Sequence, residues 1–339
     1  MTPAALLHDA RPVMVAPMAG GPSTPELVAA AAEAGAFAQL AGGYKSAEAL
    51  ASQIDEVRAR GIERFGVNLF VPNLHRIADA DYETYAERIR DELGAGPVPS
   101  KREDDDAWDA KVALLLEARV PLVSFTFGLP HRAVLAAFAD AGIATMQTVT
   151  SVDEARDAAA SGVDALVVQG SAAGGHSGIW AQDALPVDMP LLELVAEVRA
   201  ASTLPIVAAG GIARREQVRA LLGAGADAVA IGTAALLADE AGTSATHRAA
   251  LADPSFERTT LTRAFTGRPA RALVNGFVER HDAGAPSGYP ALHHLTRAMR
   301  AEAAAAGDPS RLHLWAGEGW REARQAPIAE ILDDLTPER

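Results

Sequence analysis

The 339-residue chain contains no cysteine, and lysine occurs only at Lys45, Lys101 and Lys111. Without cysteine the protein cannot form a disulfide framework, use a thiolate nucleophile or bind a metal or cluster through thiolates. Acidic residues outnumber basic ones, and the formal net charge is −14. This excess of negative charge disfavours nucleic acids and anionic membrane surfaces as partners.

Long hydrophobic runs are also missing, since no segment approaches the roughly 20 apolar residues that span a bilayer. Residues 1–21 show no basic region ahead of a long apolar stretch, so we predict no signal peptide. The composition, 49% hydrophobic and 22% charged, fits a soluble globular protein with a sizeable core. We therefore expect a cytoplasmic protein, and the sequence leaves its oligomeric state open, a homodimer included.

Short apolar runs alternate with helical patterns along the first two thirds of the chain. Most of these runs are continuously apolar, which is typical of parallel strands that are covered on both faces. Several of the helical segments end in a glycine that leads into the next run, as expected for a glycine after a helix C-terminus. The predicted strands are residues 13–18, 37–41, 65–70, 122–127, 145–149, 165–169, 205–209 and 228–231.

Eight such strand–helix units predict an α/β fold of the (β/α)8 TIM-barrel type, with a doubly wound open sheet as the alternative. We place the barrel in residues 1–237, with a helical insertion at about 72–111 after the third strand. Residues 238–339 are predicted to be a mainly helical extension packed on the barrel. The acidic run at 103–106 is interpreted as a solvated helix start, and no metal site is assigned.

The segment after the sixth strand, VVQGSAAGGHSG at 167–178, combines small residues with one histidine. Glycine allows close approach of the backbone to a ligand, and histidine transfers protons near neutral pH. In a barrel this loop lies at the catalytic end. We therefore predict a functional role for His176, whereas the other histidines lack such a context.

Two further strand ends suit the binding of a phosphate. Gly210 and Gly211 follow the seventh strand, and Gly232 and Thr233 follow the eighth. Backbone amides at these places, together with the following helix N-terminus, can bind an anion. Simple strand-to-helix turns are the alternative reading of both loops.

Two polar residues in predicted strands, Asn68 and Gln147, could hydrogen-bond the carbonyls and ring nitrogens of a heterocycle. The alternative for each is an amide satisfied by the backbone at the mouth of the barrel.

Seven motifs occur in order along the chain: APMAGG at 16–21, FGVNLF at 65–70, QGSAAGGHSG at 169–178, PIVAAGGI at 205–212, GADAVAIGTAAL at 225–236, FTGRPARALVNGF at 265–277 and HLWAGEG at 313–319. With these motifs the chain resembles the nitronate monooxygenase family, formerly called 2-nitropropane dioxygenases. The resemblance covers nearly the whole chain. One departure is Ala172, where many members have an acidic residue before the AGGH motif.

The resemblance implies a barrel enzyme that uses FMN, with His176 as the active-site histidine and Gln147 facing the flavin. The other positions that it implies for FMN binding are Ala16, Pro17, Met18, Asn68, Gln169, Ala173, Gly174, Gly175, Gly210, Gly211, Ile231, Gly232 and Thr233.

The implied reaction is the oxidation of an alkyl nitronate by O₂ to a carbonyl compound and nitrite. Use of neutral nitroalkanes is left open, and so is the role of His176. When protonated it would bind the anionic nitro group, and when unprotonated it would take an α-proton. The alternatives are a flavin-dependent enoyl-[acyl-carrier-protein] reductase, which would need a nicotinamide donor, and a non-catalytic FMN-binding barrel. An inosine-monophosphate-dehydrogenase type of barrel is excluded because its chemistry needs a cysteine.

Overall fold

The computed structural model describes residues 11–72, 75–94 and 96–338. Within these residues the chain forms eleven strands, most of them short and buried. They are β1 (Val13–Val15), β2 (Gln39–Ala41), β3 (Gly66–Phe70), β4 (Leu122–Thr126), β5 (Ala144–Val149), β6 (Ala165–Gln169), β7 (Gly175–His176), β8 (Ile206–Ala209), β9 (Ala228–Ile231), β10 (Thr259–Thr262) and β11 (Ala270–Leu273).

Eight of the strands run parallel in the order β1-β9-β8-β6-β5-β4-β3-β2. The two ends of this order meet, because Val15 and Ala38 form a parallel bridge and the Val15 amide donates to the carbonyl of Phe37 at 2.9 Å. The sheet is therefore a closed barrel. The predicted α/β (β/α)8 TIM barrel is confirmed, and the open doubly wound sheet is wrong.

The helices form a layer around the barrel and extend beyond it. Side-chain caps mark where several begin, since Thr24, Ser46 and Ser151 accept the backbone amides of Leu27, Ala49 and Glu154. The helices are α1 (Pro25–Glu33), α2 (Ala47–Ala59), α3 (Asp79–Arg88), α4 (Trp108–Ala118), α5 (Arg132–Asp140), α6 (Val152–Ser161), α7 (Leu191–Ala201), α8 (Arg215–Gly223), α9 (Ala245–Ala252), α10 (Gly276–His281), α11 (Ala291–Ala306) and α12 (Ile328–Leu335).

Alternate strand residues serve two different cores. Val229 and Ile231 of β9 face the helices and join the large core between the barrel and its helical layer. Ala228 and Ala230 face inward and pack with Met14 and other residues in the barrel interior. Both faces are apolar because both are buried, which explains the continuous hydrophobic runs in the sequence.

The segment between β3 and β4 carries α3, whose Tyr85 packs with Phe277 and Leu292 from the C-terminal part of the chain. The acidic run at 103–106 in this segment is not fully solvated, contrary to the expectation for a helix start. Asp106 turns inward, and its carboxylate lies 2.8 Å from the ammonium of Lys111, which is 1% exposed. A buried lysine requires a nearby anion, and Asp106 supplies it.

Residues beyond the barrel are not helical throughout, since they also contribute β10 and β11. They form a second antiparallel sheet with β7, in which β11 pairs with both β10 and β7 and His176 lies opposite Ala270. The sheet thus anchors the histidine loop to the C-terminal part of the chain. Among the described residues no helix is long and apolar enough to cross a membrane.

Candidate active site

A cavity of about 640 Å³ opens at the carboxyl ends of the barrel strands. The loops after the barrel strands supply one side of its wall, and residues between 242 and 319 supply the other. Its volume lies within the range of roughly 300–1,000 Å³ that is usual for ligand sites. This is the end of a TIM barrel that carries the active site.

The predicted anion cradle lies in this cavity. Gly210, Gly211, Gly232 and Thr233 all line it. No described residue accepts a hydrogen bond from the backbone amides of these four residues. Gly210 and Gly211 have φ values of 124° and 68°, a conformation that favours glycine. Unbonded amides converging on one cavity are suited to an anionic group such as a phosphate.

The C-terminal part of the chain completes the cradle. The Gly317 amide donates to the hydroxyl oxygen of Thr233 at 2.9 Å, and the Glu318 amide donates to the carbonyl of Ala172 at 3.1 Å. The backbone passes so close to Gly174 that a Cβ atom there would lie 2.4 Å from the Gly317 nitrogen. Glycine at 174 is therefore required by this crossing.

A polar network inside the barrel fixes Asn68. Its Nδ2 donates to the hydroxyl oxygens of Ser124 and Thr126 at 2.9 and 3.0 Å. The Ser124 hydroxyl donates in turn to Oε1 of Gln39 at 2.7 Å. Oδ1 of Asn68 has no partner among the described residues, and the residue lines the cavity. The carbonyl oxygen is thus available as an acceptor for a ligand.

His176 lies in a mostly aromatic pocket. Its Nε2 is 2.9 Å from the Thr266 hydroxyl, and its ring contacts the rings of Phe127, Tyr289 and Trp315. Burial lowers the pKa of His176 to about 3, and the positive charge of Arg268 adds to this effect. The imidazole is therefore uncharged at neutral pH.

The lining of the cavity is positively charged, in contrast to the whole protein. Lys45, Arg297 and Arg300 line it, and no aspartate or glutamate of the described chain does. Arg300 is 6% exposed, and no described carboxylate lies within ion-pair distance of its guanidinium. Burial lowers its pKa only to about 10, so it stays protonated at neutral pH. The charge of the lining favours anionic ligands.

Two bulky residues of the wall have a strained backbone. Tyr44 has a φ of 66° and Phe127 a φ of 80°, which side chains of this kind rarely adopt. Both residues line the cavity. Such strain persists only where surrounding contacts hold it, and it is concentrated at functional sites.

Comparison with known proteins identifies the family. The sequence model of the nitronate monooxygenase family matches residues 2–338. The chain belongs to this family. Accordingly the protein is an oxidoreductase.

Two similar proteins show how close the relationship is. A Staphylococcus aureus protein named "Probable nitronate monooxygenase" is 32% identical over 332 residues, covering 96% of this chain and 93% of its own. The solved structure of a nitroalkane oxidase from Streptomyces ansochromogenes is 45% identical, with a TM-score of 0.93, over 98% of this chain and 96% of its own.

FabK from Thermotoga maritima has a related structure, with a TM-score of 0.75 over 98% of this chain and 93% of its own. Its sequence identity to this chain is only 24%, so the similarity concerns the fold.

Most residues that the family resemblance suggested do line the cavity. The exceptions are Gln147 and Ile231, which point from their strands toward the helices. The suggested residues that line it are Ala16, Pro17, Met18, Asn68, Gln169, Ala173, Gly174, Gly175, His176, Gly210, Gly211, Gly232 and Thr233.

Gln147, which the family resemblance places facing a flavin, does not line the cavity. The residue is 0% exposed, and its Nε2 donates to the carbonyls of Gly128 and Thr148 at 3.0 and 2.9 Å. Its neighbours Met146 and Thr148 line the cavity instead, because successive strand residues point to opposite faces. The backbone thus satisfies the amide nitrogen of Gln147, whereas its Oε1 is buried with no partner among the described residues. Thr148 is the polar residue of β5 that reaches the site.

Sequence reasoning missed the contributions of the C-terminal part. Thr266 and Trp315 contact His176, and Arg300 and three further histidines line the cavity. Burial lowers the pKa of each of these histidines. The motifs at 265–277 and 313–319 were the available signals for Thr266, His313 and Trp315, and the other residues lie outside them. The three cavity histidines are His247, His293 and His313.

Proposed function

We propose that the protein binds FMN and oxidises alkyl nitronates with O₂, yielding a carbonyl compound and nitrite. The observation that carries this proposal is the composition of one cavity. It combines a cradle of unbonded amides with an uncharged histidine and a buried arginine, and no described carboxylate lines it. Such a site suits a phosphate-bearing cofactor beside an anionic substrate.

The cradle fits one phosphate group. The amides of Gly210, Gly211, Gly232 and Thr233 would hold it, and Asn68 offers a carbonyl oxygen to a ring N–H. No G-x-G-x-x-G fingerprint for a dinucleotide follows β1. These features favour FMN over FAD. Bound FMN would supply the electron transfer between substrate and O₂ that no side chain of the protein can perform.

His176 is suited to accepting a proton from a neutral nitroalkane. The imidazole is uncharged at neutral pH in the ligand-free protein, since burial lowers its pKa to about 3. An uncharged ring has one nitrogen free to accept a proton, whereas it cannot attract an anion by charge. Thr266 holds Nε2 at 2.9 Å, and Nδ1 has no partner among the described residues. We infer the role of a general base for His176. Because a pKa of about 3 makes the free imidazole a weak base, this role requires that the negative charge developing on the nitro group raises the pKa during proton transfer, by offsetting the positive charges of Arg268 and Arg300.

Arg300 is suited to binding the negative charge of the nitronate. Its Nε donates to the Thr296 hydroxyl at 3.1 Å and its Nη2 to the His293 carbonyl at 2.9 Å. Nη1 has no acceptor among the described residues, although the side chain lines the cavity. The free Nη1 of a protonated guanidinium can donate a charge-assisted hydrogen bond to an oxygen of the nitro group.

The assay that tests this function is nitrite release and O₂ uptake with propyl-2-nitronate, in parallel reactions with and without NADH. We expect turnover that needs no NADH. Strict NADH dependence with enoyl thioesters would instead establish an enoyl reductase. Bound FMN without either activity would establish a flavin-binding barrel that is not an enzyme.

A further inference from the structure

The strained residue Tyr44 is held from outside the barrel. Its backbone amide donates to Oδ1 of Asp106 at 2.9 Å, and Asp106 lies 62 residues further along the chain in the segment between β3 and β4. Oδ2 of the same carboxylate lies 2.8 Å from Nζ of Lys111. The carboxylate therefore bridges a buried cation and a backbone amide of the cavity wall.

Both partners of this hydrogen bond have unusual backbones. Tyr44 has a φ of 66° and Asp106 a φ of 56°. A left-handed conformation in a tyrosine is unfavourable unless specific contacts stabilise it. The charge-assisted hydrogen bond from the Tyr44 amide is such a contact, and hydrogen bonds to charged groups are stronger than neutral ones.

The ring of Tyr44 connects the Asp106 contact with residues that line the cavity. It stacks on the ring of His293 with the centroids 4.2 Å apart and the planes 5° from parallel. The carbonyl of His293 accepts a hydrogen bond from Arg300 Nη2 at 2.9 Å. A continuous series of contacts thus connects Asp106 with Arg300, the residue that we assign to the nitronate anion.

A second carboxylate of the same acidic run contacts the same helix. Oδ2 of Asp104 lies 3.0 Å from Nε2 of His294, the neighbour of His293 in α11. The segment between β3 and β4 therefore contacts the backbone of Tyr44 and the side chain next to His293. Neither contact reaches the cavity itself, since neither aspartate lines it.

We propose that Asp106 is a positioning residue of the active site, which fixes Tyr44 and, through the stack on His293, the anion-binding end of the cavity. This inference rests on the function proposed above. It assigns a role in substrate binding to a segment that lies outside the barrel repeat.

The experiment compares two double variants that both remove the buried charge pair. Asp106→Asn with Lys111→Met keeps an oxygen that can accept from the Tyr44 amide. Asp106→Gly with Lys111→Met removes that oxygen. Asparagine and glycine both tolerate the φ of 56° at this position, so backbone strain is matched. Neither variant leaves a buried lysine without its counter-ion.

We expect the glycine variant to raise KM for propyl-2-nitronate about tenfold, with kcat within about twofold of wild type, as one lost hydrogen bond implies. The asparagine variant should keep KM within about twofold of wild type. Hydrogen–deuterium exchange of a peptide covering residues 42–46 should be faster only in the glycine variant. Equal KM values for the two variants would overturn the proposal.

The exchange measurement separates this proposal from the proposed function. Wild-type protein that leaves nitronates unchanged would refute the function and, with it, the role of Asp106 in substrate binding. Faster exchange in the glycine variant would then still establish that Asp106 orders Tyr44, and equal exchange would refute this too. Circular dichroism of both variants checks that each is folded.

Discussion

Replacing Gly232 by aspartate tests the anion cradle most sharply. A Cβ atom at this position would lie 3.8 Å from Cβ of Ala16 and 3.9 Å from Sδ of Met18, which is ordinary contact. The φ of Gly232 is −114°, so a side chain introduces no left-handed strain. Gly211 is a poorer choice, because its φ is 68° and a Cβ atom would lie 2.9 Å from Cβ of Ala172.

The expected effect of Gly232→Asp is electrostatic. At a separation of about 4 Å, two like unit charges repel by about 4 kcal/mol at an effective dielectric constant of about 20. This corresponds to a loss of about a thousandfold in affinity for FMN. Gly232→Asn is the matched control, since it has nearly the same shape without the charge. We expect its affinity to fall less than about tenfold.

The assay is titration of FMN with the apoprotein, in which quenching of the flavin fluorescence reports binding and gives the affinity for FMN. Flavin released from the wild-type protein by denaturation should run with FMN, not FAD, in chromatography. An aspartate variant that binds FMN as tightly as wild type would show that the phosphate is held elsewhere. An equal loss in the asparagine variant would refute the electrostatic argument.

Three further predictions concern the substrate side of the cavity. Arg300→Met should raise KM for propyl-2-nitronate roughly 10- to 100-fold with FMN affinity unchanged, because a hydrogen bond to a charged group is lost; an unchanged KM would exclude Arg300 as the anion-binding residue. Thr266→Val should lower kcat for 2-nitropropane about tenfold, and Thr266→Ser should restore it, since only the hydroxyl holds Nε2 of His176; equal rates in both variants would contradict this. The pKa of His176 is about 3 in the native state, whereas a histidine in the unfolded chain has a pKa of about 6.5. Between these two pH values only the unfolded chain binds the proton, so the contribution of His176 makes the free energy of unfolding fall as the pH falls from about 6.5 to about 3. Above about pH 6.5 this contribution does not depend on pH. Urea titrations at several pH values should therefore show a smaller loss of stability toward acid in His176→Leu than in wild type; identical losses would mean that His176 is not buried uncharged.

The barrel and the cradle could be predicted from the sequence because their signals are local. Continuous apolar runs mark strands that are buried on both faces, while the pair Gly210-Gly211 marks the loop after β8 and Gly232-Thr233 the loop after β9. The same continuity hides which face a strand residue occupies. In β5 the residues around Gln147 do not alternate between polar and apolar, so the sequence does not show which of them face the cavity. The prediction was therefore one residue away from Thr148, which lines the cavity where Gln147 was expected.

The remaining parts of the site depend on contacts between distant segments. Arg300 reaches the cavity from a helix that follows the barrel repeat, and Thr266 meets His176 across 90 residues. Asp106 carried a misleading local signal, since a run of carboxylates before a helix normally faces water. Its role becomes visible only when Lys111 and the Tyr44 amide are seen around it.

The central claim is that uncharged His176 acts as the proton acceptor in a nitronate-oxidising site. The direct test is nitrite release by His176→Ala at neutral pH from 2-nitropropane and, separately, from preformed propyl-2-nitronate. We predict a loss of about 10²–10⁴-fold on the nitroalkane, as for removal of a general base, and a much smaller loss on the nitronate, which has no α-proton left to remove. Equal losses on the two substrates would contradict this account and show that His176 binds the anion, and wild-type rates on both would remove it from the mechanism.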